Sequence, residues 1–434
     1  MSQSPSAHVV RLGVLGHGVV GSAFVKLVTA QADQILARSG VRLEVTRVCV
    51  RDAKKKHSLP KGAVLVTDPH ALVQAADVDL VVELMGGIEP ASELIIESLG
   101  KRKPVVTANK ALLARHGVEL FASADAASTD LLFEAAVCGG IPLIRPLRES
   151  LRGEPISRVM GIVNGTTNFI LTKMSEDGAD YAVALAQAQK LGFAEADPTA
   201  DIDGHDAAAK IAIIASIAFG VNVRAADVFV EGISRISAAD IAIARKFGYA
   251  VKLLGVAELD SASSAVSVRV HPALVALNNP LAAVRESFNA VLVDGDSSGS
   301  LMFYGRGAGG EPTASAVLGD VIDAAINLHK GTHAPLGAFK STKLKEMSDV
   351  NCEYMIGLEV TDKPGVLHAV TGVFARNGVS IRAAEQDGIG ADARLVFLTH
   401  DANEAAVQSC LSEFKNLDVV KHVGALLRVV ANSQ

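Results

Sequence analysis

The hydrophobic pattern changes character twice along the chain. Through the first third, short apolar runs recur at Val9–Leu15, Arg42–Val50, Val64–Val66, Leu80–Val82, Val105–Thr107 and Leu131–Phe133. Short runs of this kind, rich in β-branched residues, predict buried strands. Between them, apolar residues fall at helical spacing over Val19–Arg38, Pro90–Leu99 and Asn109–Ala124. Strands alternating with helices predict a parallel sheet covered on both faces. The middle third is less regular. Helices are predicted over Asp180–Leu191, Asp203–Phe219 and Asp320–His329, and strands over Val266–Val270 and Phe288–Val293, which together suggest an α+β unit. A segment with three lysines and few large apolar residues, Gly337–Asp349, reads as a linker. The remainder follows a β-α-β-β-α-β rhythm. Its strands are Tyr354–Val360, Ser380–Gln386, Ala393–Thr399 and Val419–Val429, and its helices Gly365–Asn377 and Glu404–Ser412. That order is ferredoxin-like.

Composition narrows the function classes. The 434 residues carry 41 Lys+Arg against 47 Asp+Glu, a net charge of −6, which excludes a globally basic nucleic-acid binder. The four cysteines are far apart in sequence and form no CxxC pair, as expected in a reducing compartment. The longest largely apolar run, Ile211 to Val221, is too short to cross a bilayer. The first residues show no charged n-region of a secretory signal, so the expectation is a cytoplasmic protein with no membrane partner.

Two clusters carry chemistry. Gly16-His17-Gly18-Val19-Val20-Gly21 follows an apolar strand and opens a helix. In a dinucleotide loop the first glycine permits the turn, the second lets backbone approach a pyrophosphate, and the third lets helix and strand pack closely. The next strand ends at Val50 and is followed by Arg51, Asp52 and Lys54-Lys55-Lys56, a basic tip suited to the 2′-phosphate of NADP, although Asp52 keeps NAD open. Further along, Glu195, Asp197, Asp201, Asp203 and Asp206 crowd ahead of Lys210. Asp206 and Lys210 share one helical face, while Asp203 reads either as part of the cluster or as a helix cap. In a calcium-loop register the last liganding position falls on Lys210, which excludes that reading. Carboxylates beside a lysine suit a polar substrate with an ammonium group and a proton to be moved.

Several segments together resemble homoserine dehydrogenase: Glu83-Leu-Met-Gly-Gly, Thr107-Ala-Asn-Lys110, Gly161-Ile-Val-Asn-Gly-Thr-Thr-Asn-Phe-Ile-Leu-Thr, the run from Gly192 through Lys210, and Gly305 to Val317. The last 80 or so residues resemble an ACT regulatory domain, with the turn Asp362-Lys-Pro-Gly365 before its first helix. The resemblance implies an α/β protein in four segments. Residues 1–138, rejoined by 312–335, form a Rossmann-like NAD(P)-binding domain, and 139–311 an α+β catalytic and dimerisation domain. A linker follows at 336–350, and 351–434 form a ferredoxin-like ACT domain.

The implied reaction is the reversible NAD(P)H-dependent reduction of L-aspartate 4-semialdehyde to L-homoserine. Lys210 and Lys110 would stand at the reacting centre, in an order the sequence leaves open, with Asp206 orienting Lys210. Glu195 and Asp201 would hold the substrate ammonium, and a Gly165-Thr166 turn would donate to the substrate. Gly307 and Thr313, in a glycine-rich segment that follows no simple strand, would return to the cofactor along with Lys110. Glu134 would supply a carboxylate, and Val137, Gly139 and Ile141 carbonyls, to a sodium or potassium ion. Asp362, Gly365, Val366, Leu367, Asn377 and Gly378 would face an effector, expected to be L-threonine. A homodimer or homotetramer is expected. A phosphoglycerate-type dehydrogenase places its nucleotide loop mid-chain, and a non-catalytic sensor would need neither lysine; both fit less well.

Overall fold

The computed structural model describes residues 8–261, 263–388, 390 and 393–431. The chain folds as two compact units. One runs through Glu154 and takes in Ala212–Ala226 and Phe303–Ser341; the other comprises Pro155–Ile211, Asp227–Met302 and the chain from Thr342 onward.

The first unit opens with β1 (His8–Leu15), α1 (Val19–Ala30), α2 (Ala32–Ser39), β2 (Val41–Cys49), β3 (Val64–Val66) and α3 (Pro69–Gln74). It continues through β4 (Leu80–Glu83), α4 (Ala91–Gly100), β5 (Val105–Thr107), α5 (Lys110–Ala127) and β6 (Leu131–Leu132). Its strands are parallel in the order β3-β2-β1-β4-β5-β6. The order reverses between β1 and β4, which is where an open α/β sheet binds ligands at its carboxyl edge. The helix predicted over Val19–Arg38 is two helices, because the backbone at Gln31 (φ −106, ψ 11) leaves the helical region. Val28 of the first and Ile35 of the second still bury in one core with the sheet.

The second unit begins with β7 (Ile156–Ile162), α6 (Gly165–Glu176), α7 (Tyr181–Lys190), α8 (Thr199–Ile202) and the start of α9 (His205–Phe219), whose residues from Ala212 belong to the first unit. Then come β8 (Phe229–Val230), α10 (Ala238–Lys246), β9 (Tyr249–Leu259), β10 (Val266–Ala276), β11 (Phe288–Gly295) and β12 (Gly299–Arg306). Helix α11 (Gly310–Lys330) returns to the first unit and buries Ala314, Val317, Val321 and Ala325 in its core. The chain ends with β13 (Asn351–Cys352), β14 (Tyr354–Val360), α12 (Val366–Arg376), β15 (Ile381–Asp387), β16 (Arg394–Thr399), β17 (Ala402–Asn403), α13 (Glu404–Phe414) and β18 (Val420–Val429).

Apart from the short β13–β17 pair, the last segment has the β-α-β-β-α-β order expected of it, with strands arranged β18-β14-β16-β15 around its own aliphatic core. Its sheet does not stand alone. Strand β18 pairs in parallel with β10, Ala273 opposite Arg428 and Leu274 opposite Val429, so one sheet runs from β12 to β15. Val430 packs into the core under β7, β9 and β11. The segment read as a linker is hydrogen-bonded along its length: Lys340 N–H donates to Gly220 O at 2.9 Å, and Lys345 N–H to Val266 O at 2.9 Å.

Two local expectations are corrected. Gly165 and Thr166 are the first residues of a helix rather than a turn. The glycine-rich segment after Gly305 does follow a strand, β12. That strand hid because its outward residues include Met302 and Tyr304, so its alternating burial has no matching alternation of apolar and polar residues.

Candidate functional site

The nucleotide loop has the geometry its glycines require. Gly16 sits at φ +100, and a Cβ there would lie 2.6 Å from Leu84 O; a Cβ on Gly21 would lie 2.1 Å from Gly16 O. A Cβ on Gly18 would meet nothing within 4 Å, so that side of the loop is open to a ligand. Val19 and Val20 follow at the N-terminus of α1, where unpaired N–H groups and the helix dipole favour a pyrophosphate. The cradle fits a dinucleotide. A second helix N-terminus joins it, since a Cβ on Gly310, the first residue of α11, would lie 2.9 Å from the Val19 side chain. Thr313 is in that first turn. Gly307 abuts the 138–141 loop, where a Cβ on Gly139 would meet Gly307 O at 2.6 Å. The predicted nucleotide loop, returning segment and cation loop are therefore neighbours in one unit.

Arg51 and Lys54–Lys56 are exposed, with Asp52 accepting the Lys54 N–H at 2.9 Å. His57 closes this basic loop. Its Nδ1 lies 3.2 Å from His17 Nδ1, and its Nε2 lies 3.1 Å from Asp52 O. Burial, with His57 next to it, lowers the proton affinity of His17. His57 carried no signal in the sequence.

Lys110 is the first residue of α5, at the carboxyl end of β5. A cation at a helix N-terminus is electrostatically unfavourable, so its position is not explained by helix stability. The turn before it is tightly built. Glu83 is fully buried and accepts N–H from Met85 (2.8 Å) and Gly86 (3.1 Å) and the Thr107 hydroxyl (2.6 Å). Asn109 caps α5 by accepting Leu112 N–H and donates to Gly87 O at 2.6 Å.

In the second unit, β7 ends at the edge of the acidic cluster. Lys210 is 7 % exposed, and its Nζ donates to Val163 O at 2.7 Å and to Asp206 Oδ2 at 2.8 Å. Asp206, one turn earlier on α9, also accepts from Asn164 Nδ2 at 3.0 Å. The same nitrogen donates to Asp201 Oδ1 at 2.7 Å. The Thr166 hydroxyl lies 2.7 Å from Phe193 O and 3.0 Å from Asp201 Oδ2, two acceptors for its single proton. Glu195 is exposed on the loop that Gln189 ties to α7 through Glu195 O. Asp203 lies between α8 and α9 rather than capping the latter, with Gly204 (φ +89) making the turn.

The loop read as a cation site is tightly hydrogen-bonded. Glu134 is buried, but its carboxylate accepts the backbone N–H groups of Leu143 (2.5 Å), Ile144 (2.8 Å) and Arg145 (2.7 Å). These bonds fix the carboxylate at the start of the next segment. Cys138 (φ +55) and Gly139 (φ +54) reverse the backbone between Val137 and Ile141. Asp320 of α11 accepts the Glu134 N–H at 2.7 Å; burial, then the Glu134 charge, pushes its carboxyl up to about 7.

Of the predicted effector residues, Gly365 (φ +91) caps α12, Val366 is buried, Leu367 is exposed and Gly378 (φ +69) ends the helix. Asp362 accepts the Gly390 N–H at 2.9 Å, and Asn377 Nδ2 donates to Val373 O and Glu413.

Comparison with known proteins decides among the readings. Residues 142–322 match the homoserine dehydrogenase family model, 16–134 the homoserine dehydrogenase NAD binding domain, and 354–419 the ACT domain. A homoserine dehydrogenase of Corynebacterium glutamicum is 47% identical over 424 residues, 97% of this chain and 95% of that one. The chain belongs to the homoserine dehydrogenase family. The homoserine dehydrogenase of Bacillus subtilis is 41% identical over 430 residues, 98% of this chain and 99% of its own. The crystal structure of a homoserine dehydrogenase from Thiobacillus denitrificans superposes with a TM-score of 0.91 at 39% identity, covering 97% of this chain and 98% of that one. A hyperthermophilic archaeal homoserine dehydrogenase in complex with NADPH superposes at 0.63 with 29% identity, covering 74% of this chain and 98% of its own. The activity is accordingly the NAD(P)-linked interconversion of L-homoserine and L-aspartate 4-semialdehyde. Among the described residues no helix is long and apolar enough to cross a membrane.

Proposed function

We propose that Lys210 carries the proton of this reaction, that Asp206 keeps it charged and aimed, and that Lys110 polarises the aldehyde oxygen. The observation that supports this most is the buried Lys210–Asp206 pair, one turn apart on α9 and closed on the other side by Val163 O. When bound, the nicotinamide supplies the hydride. The chain's own task is to meet the negative charge that grows on the aldehyde oxygen, which a lysine held protonated in a water-poor site does well. Asp201 and Glu195 attract the substrate ammonium, Asp201 from a rigid mount and Glu195 from an exposed loop.

NADP is the preferred cofactor in this reading, its 2′-phosphate meeting Arg51 and the lysines after it. Losing one charge-assisted contact costs on the order of 1.5–3 kcal/mol. Arg51→Ala should therefore raise the KM for NADPH about tenfold and leave that for NADH unchanged. Equal effects on both would remove Arg51 from phosphate recognition. A sodium or potassium ion would be held by the carbonyls of Val137, Gly139 and Ile141.

The terminal domain reads as a sensor of L-threonine, because Asp362 and Gly365 shape the turn before α12 beside the exposed Leu367. L-threonine should slow the full-length enzyme and have much less effect on Asp362→Ala; an unchanged response in that variant would move the effector elsewhere. The enzyme works as a cytoplasmic homodimer or homotetramer.

A further inference from the structure

Asn164 does more than its place in the sequence suggests. It is 4 % exposed and stands between the end of β7 and the start of α6. Its amide oxygen accepts the Thr167 N–H at 2.9 Å and lies 3.0 Å from the Thr167 hydroxyl, which caps α6. With the oxygen so committed, the amide nitrogen must face the other way. There it donates to both Asp201 (2.7 Å) and Asp206 (3.0 Å). Residue 163 presents its carbonyl to Lys210, and residue 164 presents its N–H donors to the carboxylate paired with Lys210. Two consecutive residues thus bracket the ion pair, an acceptor on its cation and a donor on its anion.

The consequence is electrostatic as well as geometric. Two carboxylates in one part-buried cluster repel, and each favours the other's protonation. A neutral donor shared between them stabilises both ionised forms without adding a charge that would compete for Lys210. It also ties a residue of the substrate-binding group to a residue of the proton machinery.

We propose that Asn164 is a positioning residue for the reaction, locking Asp201 and Asp206 into one unit so that Asp206 stays ionised against Lys210. The inference rests on the reading of Asp206 and Lys210 as the proton machinery.

The test is steady-state kinetics on the full-length enzyme across pH, with NADPH affinity and thermal melting as controls. Asn164→Ser keeps an N-cap of equal quality for α6 but loses both donors. Melting and NADPH affinity should stay near wild type while kcat falls about 10²-fold, the scale expected for a misplaced catalytic group. Asn164→Asp, also a good cap, sets a third carboxylate against the other two. It should lower kcat and move the alkaline limb of the reduction profile to higher pH, because added negative charge holds the Lys210 proton. If both variants keep kcat and the pH profile within about twofold of wild type, Asn164 is a helix cap and the inference fails. Lys210→Ala, measured alongside, separates the two levels. An inactive Lys210→Ala beside wild-type-like Asn164 variants overturns only the role of Asn164. An active Lys210→Ala overturns the underlying reading as well.

Discussion

Lys210→Ala should lower turnover by at least about 10³-fold in both directions while leaving NADPH affinity within about twofold of wild type. Removing a positioned general acid typically costs on the order of 10²–10⁴ in rate. Two features place this site toward the upper end. Lys210 is buried, so water has poor access to replace it as a donor. Removing it also leaves Asp206, 9% exposed at its side chain, without its cation, which works against the negative charge that the reaction must build nearby. The nucleotide cradle is in the other unit and is built from backbone around Gly16, Gly18 and Gly21, so NADPH affinity has no reason to change. Asp206→Asn should be inhibited less, because the amide still accepts a hydrogen bond from Lys210 but no longer favours its charge.

Arg428→Met should destabilise the second unit by about 3–5 kcal/mol. Arg428 is 1% exposed, and its guanidinium makes a two-pronged contact with Glu404 (Nε 2.8 Å and Nη2 2.6 Å) and reaches Glu231 at 2.7 Å. Burial works against its charge, but the hydrogen bonds it donates to Glu404 and the charge of Glu231 outweigh it, and its proton is held more tightly than usual. Taking the arginine away leaves Glu404, itself almost fully buried, with Gln408 as a remaining donor at 2.8 Å. A buried carboxylate stripped of its cation is the costly case, whereas replacing the whole pair by apolar groups is not. Arg428→Met/Glu404→Leu should therefore recover more than half of the lost stability in urea unfolding. If the double variant is as unstable as the single one, the cost lies in packing rather than in the orphaned charge. The site matters beyond stability because Arg428 is on β18 opposite Ala273, where the terminal sheet joins that of β10. Glu231 is next to Gly232, whose Cβ would lie 2.3 Å from Ile202 O, one residue from Asp201.

Much of this was legible in the sequence, for identifiable reasons. The six parallel strands of the first unit are short and apolar between strong helical patterns, and all six form where expected. The terminal β-α-β-β-α-β order is equally plain, since its strands alternate with amphipathic helices. The middle strands were harder. β10 is buried along nearly its whole length, so it has no two-residue alternation, and β9 carries the buried Lys252 within an apolar run. The acid–lysine face of α9 could be read because residues four apart on a helix are neighbours. What surrounds it could not, since Val163 and Asn164 reach it from more than 40 positions away. An asparagine before Gly-Thr-Thr, just after a strand, is a helix-cap signature, and it could have placed Asn164 at the start of α6. Nothing local could have shown that its other end holds two carboxylates. The three backbone donors that hold the Glu134 carboxylate were equally illegible, since Leu143, Ile144 and Arg145 meet it only after the chain reverses at Cys138 and Gly139.

Reduction of L-aspartate 4-semialdehyde is expected to run through the Lys210–Asp206 pair. The most direct measurement is the loss of NADPH absorbance when L-aspartate 4-semialdehyde is added to the full-length enzyme, with wild type and Lys210→Ala compared at equal NADPH saturation. The wild type should oxidise one NADPH for each L-homoserine formed, and Lys210→Ala should show no oxidation above background. Wild-type enzyme that leaves NADPH untouched, or a variant that oxidises it as fast as the wild type, would contradict this expectation.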